Sequence, residues 1–139
     1  MQIVLTPLAE EPEPNDPAHA GEWAGAFNRA EGCKPPWCFY FVRHDERPVG
    51  IGLFKGSPAD GIVEIAYLVF ISARGRGVAT AIAHELVSIA REHGVTRVIA
   101  HTLPETSPST QVLVANGFTG PAEVIDPKDG SVWRWDLAL

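Results

Sequence analysis

Arginine and glycine alternate in Arg74-Gly75-Arg76-Gly77, and Val78 and Ala79 follow. Residues in that order suit the capture of a phosphorylated ligand. Glycines let the main chain curl close to a ligand with its amides exposed, and the two guanidinium groups add positive charge. A helix starting just after the glycines would add about half a positive charge at its first turn. Two common phosphate loops do not fit: the dinucleotide fingerprint needs three spaced glycines, and the triphosphate loop needs Gly-Lys-Ser/Thr. Upstream, Glu64 is the one charged residue of the apolar stretch IVEIAYLVFI. A carboxylate in that setting can act as a general base, directly or through water, and partial burial would strengthen it as a base. An exposed strand position is the plainer alternative.

These residues need elements to hold them. Residues 62–71 are rich in β-branched and aromatic types and read as a strand. After the glycines, Val78, Ile82, Leu86, Ile89 and Ala90 recur at helical spacing, and Gly94 is a natural stop. The loop therefore joins a strand to a helix. Residues 1–6 suit a short edge strand, 7–17 are irregular, and 18–30 carry Trp23, Ala24, Phe27 and Ala30 at helical spacing. Strands are expected at 37–44 and 49–55 around the turn Asp45-Glu46-Arg47-Pro48, and again at 96–102. Ser109 is placed to cap a short helix that Gly117 ends. A final hairpin is expected from 118–125 and 131–137. The pattern is that of one mixed α+β domain over residues 1–139.

Bulk properties narrow the function. The net charge of -6 argues against nucleic acid as a partner. It suits a ligand arriving as a cation, and equally serves plain solubility. No apolar run approaches the ~20 residues of a membrane span, and Met1-Gln2-Ile3-Val4-Leu5 lacks the features of a signal peptide. A cytoplasmic location and no membrane partner are expected. Cys33 and Cys38 have no second pair, so ordinary thiols and no metal are expected.

Three segments together resemble the GNAT superfamily of N-acetyltransferases. Arg74, Gly77 and Ala79 fill the Arg/Gln-x-x-Gly-x-Gly/Ala loop that cradles the pyrophosphate of coenzyme A. Glu64-Ile65-Ala66-Tyr67 resembles the Glu-Ile-Gly-Tyr strand of the RimJ/RimL-like ribosomal-protein N-terminal acetyltransferases. The run from Ser109 to Phe118 resembles their Ser-x-x-Val-Leu-x-x-x-Gly-Phe helix and turn. The resemblance implies an α+β, three-layer fold: a mostly antiparallel central sheet, flanked by helices, with two central strands splayed around the pantetheine arm. Acetyl-coenzyme A would then lie against Leu68, Val69, Ile71, Arg74, Gly75, Arg76, Gly77, Val78, Ala79, Thr80, Thr106 and Ser109. Glu64 matches the strand glutamate of histone-type members and would be the base, acting on an amine that attacks the thioester directly. His101, Phe27 and Trp37 would face the acceptor.

The match has departures. The tyrosine that usually protonates the leaving thiolate is Leu113 here, which leaves Ser109 or water for that role, and the usual asparagine is Thr106. Each residue also has an ordinary reading: Ser109 as a helix cap, His101 as a polar strand end, Tyr67, Trp23, Phe27 and Trp37 as core packing. Three functions therefore compete: an N-acetyltransferase, a non-catalytic acyl-coenzyme A-binding sensor or scaffold, and an interaction domain whose glycine loop is only a turn. Relatives that pair through their last strands, together with Trp133 and Trp135 on one face of the final strand, point to a homodimer.

Overall fold

The computed structural model describes residues 1–7 and 34–139. The helical pattern at 18–30, with Trp23 and Phe27, lies outside the described residues, as does Cys33. The strands are β1 (Val4–Pro7), β2 (Phe39–His44), β3 (Arg47–Phe54), β4 (Ile62–Val69), β5 (Arg97–Thr102), β6 (Thr119–Asp126) and β7 (Gly130–Ala138). Two helices accompany them among the described residues, α1 (Val78–Glu92) and α2 (Pro108–Ala115). The strands form one mixed sheet in the order β1-β2-β3-β4-β5-β7-β6. Every neighbouring pair is antiparallel except β4 and β5. A parallel pair needs a crossover, and α1 supplies it.

That parallel pair is short. It joins Ile62 to Arg97, Val63 to Val98 and Glu64 to Ile99, and goes no further. β4 continues to Val69 and β5 to Thr102 without meeting again, so the sheet splits at its middle. The splay expected of the central strands is present.

Side chains alternate across each strand, and the two faces carry different cores. Val63 and Ile65 of β4, Val98 and Ala100 of β5 and Trp135 of β7 pack with α1 residues Val78, Ile82, Leu86 and Ala90 and with Leu113 of α2. The helix can approach because β3 carries glycine beneath it. A Cβ at Gly52 would sit 2.8 Å from Ile82 Cγ2, closer than real carbons approach. On the opposite face Phe39, Phe41, Ile51, Leu53 and Phe70 form a second cluster that Ala66 joins. Glu64 shares the face of Ala66.

Some boundaries differ from the sequence reading. The β2–β3 turn is two residues, Asp45 (φ 51) and Glu46 (φ 66), and Arg47 and Pro48 already belong to β3. Strand twist favours such a turn, but Asp-Glu lacks the glycine that usually announces it. The cap of α2 is Ser107 rather than Ser109. Its hydroxyl accepts from Thr110 N at 3.4 Å, the Thr110 hydroxyl accepts from Ser107 N at 3.0 Å, and Pro108 occupies the first turn. β7 lies between β5 and β6, and Trp135 is buried within its own domain, where its indole N–H donates to Thr102 Oγ1 at 3.1 Å. Among the described residues, no helix is long and apolar enough to cross a membrane.

The β5–β7 contact carries a pH dependence. Arg134 grips Asp136 through Nε and Nη2, each at 3.0 Å, and Arg97 Nη1 adds a contact of 3.1 Å. The Arg134 hydrogen bonds lead in holding the Asp136 carboxyl below its ordinary 3.8, and Arg97 assists. A depressed carboxyl contributes stability above its unfolded value and loses it as pH falls through the folded one. Asp136→Asn should therefore lower the urea midpoint near about pH 7 by the equivalent of about 1 kcal/mol or less, given the partial exposure of both arginines. The difference between variant and parent should close as pH falls below 3.8. An equal gap at about pH 2.5 and pH 7 would remove the ion pair as the cause.

Candidate active site

After β4 the chain makes a short 3-10 turn (Ile71–Ala73) and enters the glycine loop. Gly77 is the N-cap of α1 with φ 80, in the left-handed region, where a side chain is disfavoured. The first main-chain bond of the helix runs from Ala81 N to Gly77 O. The N–H groups of Gly77, Val78, Ala79 and Thr80 thus lack the partners a helix supplies further along. They converge where the helix dipole is positive.

These residues border a cavity of about 700 Å³. Gly75, Gly77, Val78, Ala79 and Thr80 contribute the loop side, Leu68 and Val69 the β4 side, and Ser109 and Val112 the α2 side. Arg74 also lines it, with its Nε donating to Val69 O at 3.3 Å. That bond ties the loop to the end of β4 and leaves the terminal guanidinium nitrogens for an anion. Ile71 (80% exposed), Arg76 and Thr106 are exposed and do not line this cavity.

A second cavity of about 300 Å³ fills the split between β4 and β5, bounded by Ala66, His101, Thr102, Ser107 and Leu113 among others. Tyr67 and Ser109 line both cavities, so the two adjoin. The Tyr67 hydroxyl crosses the junction and donates to Ser109 O at 3.2 Å. Burial pushes this phenol well above its ordinary 10.0, so it stays protonated as a donor.

Glu64 and His101 meet on the face away from α1. His101 Nδ1 lies 2.9 Å from Glu64 Oε2, and Lys55 Nζ lies 3.1 Å from the same oxygen. Both partners follow from the register. Lys55 follows β3 directly across from Glu64, and its backbone N–H donates to Glu64 O at 2.8 Å. His101 is carried to the same face by β5. Sequence reasoning missed Lys55, although its place at the end of a hairpin strand was the available signal. Glu64 itself does not border the split cavity; His101 does.

Trp37 stands apart from these groups. Its ring packs edge-on against Phe54 at 5.0 Å and His93 at 5.7 Å. His93 follows the far end of α1, so Trp37 belongs to the helix-side core and not to an acceptor groove around Glu64. Phe27 lies outside the described residues.

A helix start with four open main-chain N–H groups, beside a sheet split between parallel strands, is an arrangement that can take a phosphorylated ligand whose arm enters the sheet. The sequence model of the acetyltransferase (GNAT) domain family matches residues 3–119, and the chain belongs to that family. No curated protein sequence matches the chain significantly. Among solved structures, RimL, a ribosomal L7/L12 alpha-N-protein acetyltransferase in complex with coenzyme A, is similar over 85% of this chain and 68% of its own, with TM-score 0.68 and 15% identity. The aminoglycoside acetyltransferase AAC(6')-Ib in complex with coenzyme A gives TM-score 0.64 at 19% identity, over 73% of this chain and 65% of that one. The ribosomal-protein-S5-alanine acetyltransferase from Vibrio fischeri gives 0.65 at 14%, over 73% and 61%. The chain thus spans just under two thirds of the last two. At these identities the likeness is one of fold.

Proposed function

We propose that the protein transfers the acetyl group of acetyl-coenzyme A to a primary amine, either a protein N-terminus or a small-molecule amine. The observation that carries this reading is the junction of the two cavities. One offers four main-chain N–H groups and Arg74 to phosphates; the other opens through the split to a face bearing titratable groups. A ligand with phosphates at the α1 end and an extended thioester arm would place its acetyl group near Tyr67 and Ser109. The acceptor would then come from the Glu64 and His101 side, attacking directly with no covalent enzyme intermediate. Ser109, at the junction, is the nearest candidate to return a proton to the leaving thiolate, with water as its substitute.

Incubating the purified protein with acetyl-coenzyme A and a panel of peptides and small amines tests this. Thiol release that depends on at least one amine, with the acetylated product seen by mass, is the expected result. One feature favours the non-catalytic acyl-coenzyme A-binding module instead: Leu113, at the position of the usual tyrosine, is fully buried and presents no acid. Tight binding of acetyl-coenzyme A without turnover on any amine would establish that reading.

A further inference from the structure

We propose that His101, rather than Glu64, takes the proton from the acceptor amine, and that Glu64 and Lys55 are positioning residues for its ring. The inference rests on the acetyltransferase reading above. One oxygen of Glu64 is held by both neighbours, His101 Nδ1 at 2.9 Å and Lys55 Nζ at 3.1 Å. A carboxylate paired with an ammonium group only accepts hydrogen bonds. The hydrogen shared with His101 therefore belongs to Nδ1, and in its neutral form the ring carries its lone pair on Nε2. No described residue bonds Nε2. His101 lines the split cavity and Glu64 does not, so the ring is the group within reach of an amine there.

The surrounding charges leave this arrangement intact. Arg134 sits directly across β7 from His101 but is committed to Asp136. Asp126 is fixed by the main-chain N–H groups of Lys128 and Asp129. Glu105 and Tyr67 border the same cavity, and neither bonds the ring.

The step balances as follows. The acceptor ammonium gives one proton to His101 Nε2, and its freed nitrogen attacks the thioester carbonyl carbon. The C–N bond forms and the C–S bond breaks, the sulfur leaving with the electron pair. The nitrogen's second proton ends on that thiolate, through Ser109 or water, and the imidazolium returns the first to solvent.

Two measurements test the assignment. Nitrogen-15 spectra of the ring, identified by comparison with His101→Ala, should show neutral His101 with hydrogen on Nδ1 and a bare Nε2. In Glu64→Leu the ring should shift toward the Nε2–H form. An Nε2–H ring in the unmodified protein would overturn the proposal without any acceptor being known. Under saturating acetyl-coenzyme A, His101→Ala should lower kcat about 10²-fold or more with the KM for acetyl-coenzyme A nearly unchanged, and added imidazole should restore part of the rate. Turnover that survives His101→Ala undiminished would sink this role alone. Absence of turnover by the unmodified protein on every amine would sink the acetyltransferase reading and this role with it.

Discussion

Gly77→Glu is expected to abolish measurable binding of coenzyme A while leaving the protein folded. A Cβ at position 77 meets nothing within 4 Å, so the substitution creates no clash. Its effects are a strained backbone at φ 80, of order 1–3 kcal/mol, and a carboxylate set among the very amides that would hold the phosphates. Losing two charge-assisted hydrogen bonds at about 1.5–3 kcal/mol each already corresponds to more than about a hundredfold in affinity. Repulsion between like charges adds to that. Calorimetric titration with coenzyme A checks the loss, with circular dichroism as the control for folding. A folded Gly77→Glu protein that binds within about threefold of the parent would show that the phosphates lie elsewhere.

Leu86→Ala should bring a large loss of stability. Leu86 is fully buried, and its two methyl groups lie 3.3 and 3.4 Å from where a Cβ on Gly52 would stand. Helix and sheet have little slack to close over the space left behind. Such truncations cost about 2–5 kcal/mol against a total of about 5–15, and for a chain of this size the melting temperature should drop by on the order of 10 °C. Ile125→Ala, at a residue 76% exposed, should stay within about 0.5 kcal/mol. Urea unfolding of the two variants side by side decides. Equal midpoints would mean that α1 does not anchor the core.

The sequence made legible whatever depends on local pattern. The 3.6-residue period of α1, its stop at Gly94 and the β-branched runs of β3, β4 and β7 all follow from side-chain spacing. So does the placement of the glycine loop between strand and helix. What it hid depends on contacts between distant segments. Ser109 and Ser107 are equally good caps by type, and the choice fell to Ser107 because Thr110 can answer it and Pro108 fits the first helical position. Trp37 could have faced either side of the sheet, and only the packing of Phe54 and His93 shows which. The pairing of Glu64 with Lys55 and His101 is set by register across three strands, which no single-segment period reports.

The short seam between β4 and β5 divides more than a surface. On one side lie β1 to β4 and on the other β5 to β7, each a run of antiparallel neighbours, joined by three residue pairs, the packing of α1 and side-chain contacts such as Glu64 with His101. Cooperative units in proteins tend to follow such contiguous blocks, so the two halves are expected to open separately along the seam. Past Glu64, β4 is paired on its β3 side alone. Under the acetyltransferase reading, a ligand arm lying in the split would act as a splint, bridging the halves and coupling their opening. Slowed amide exchange along the upper part of β4 would then record binding even where no reaction is being followed.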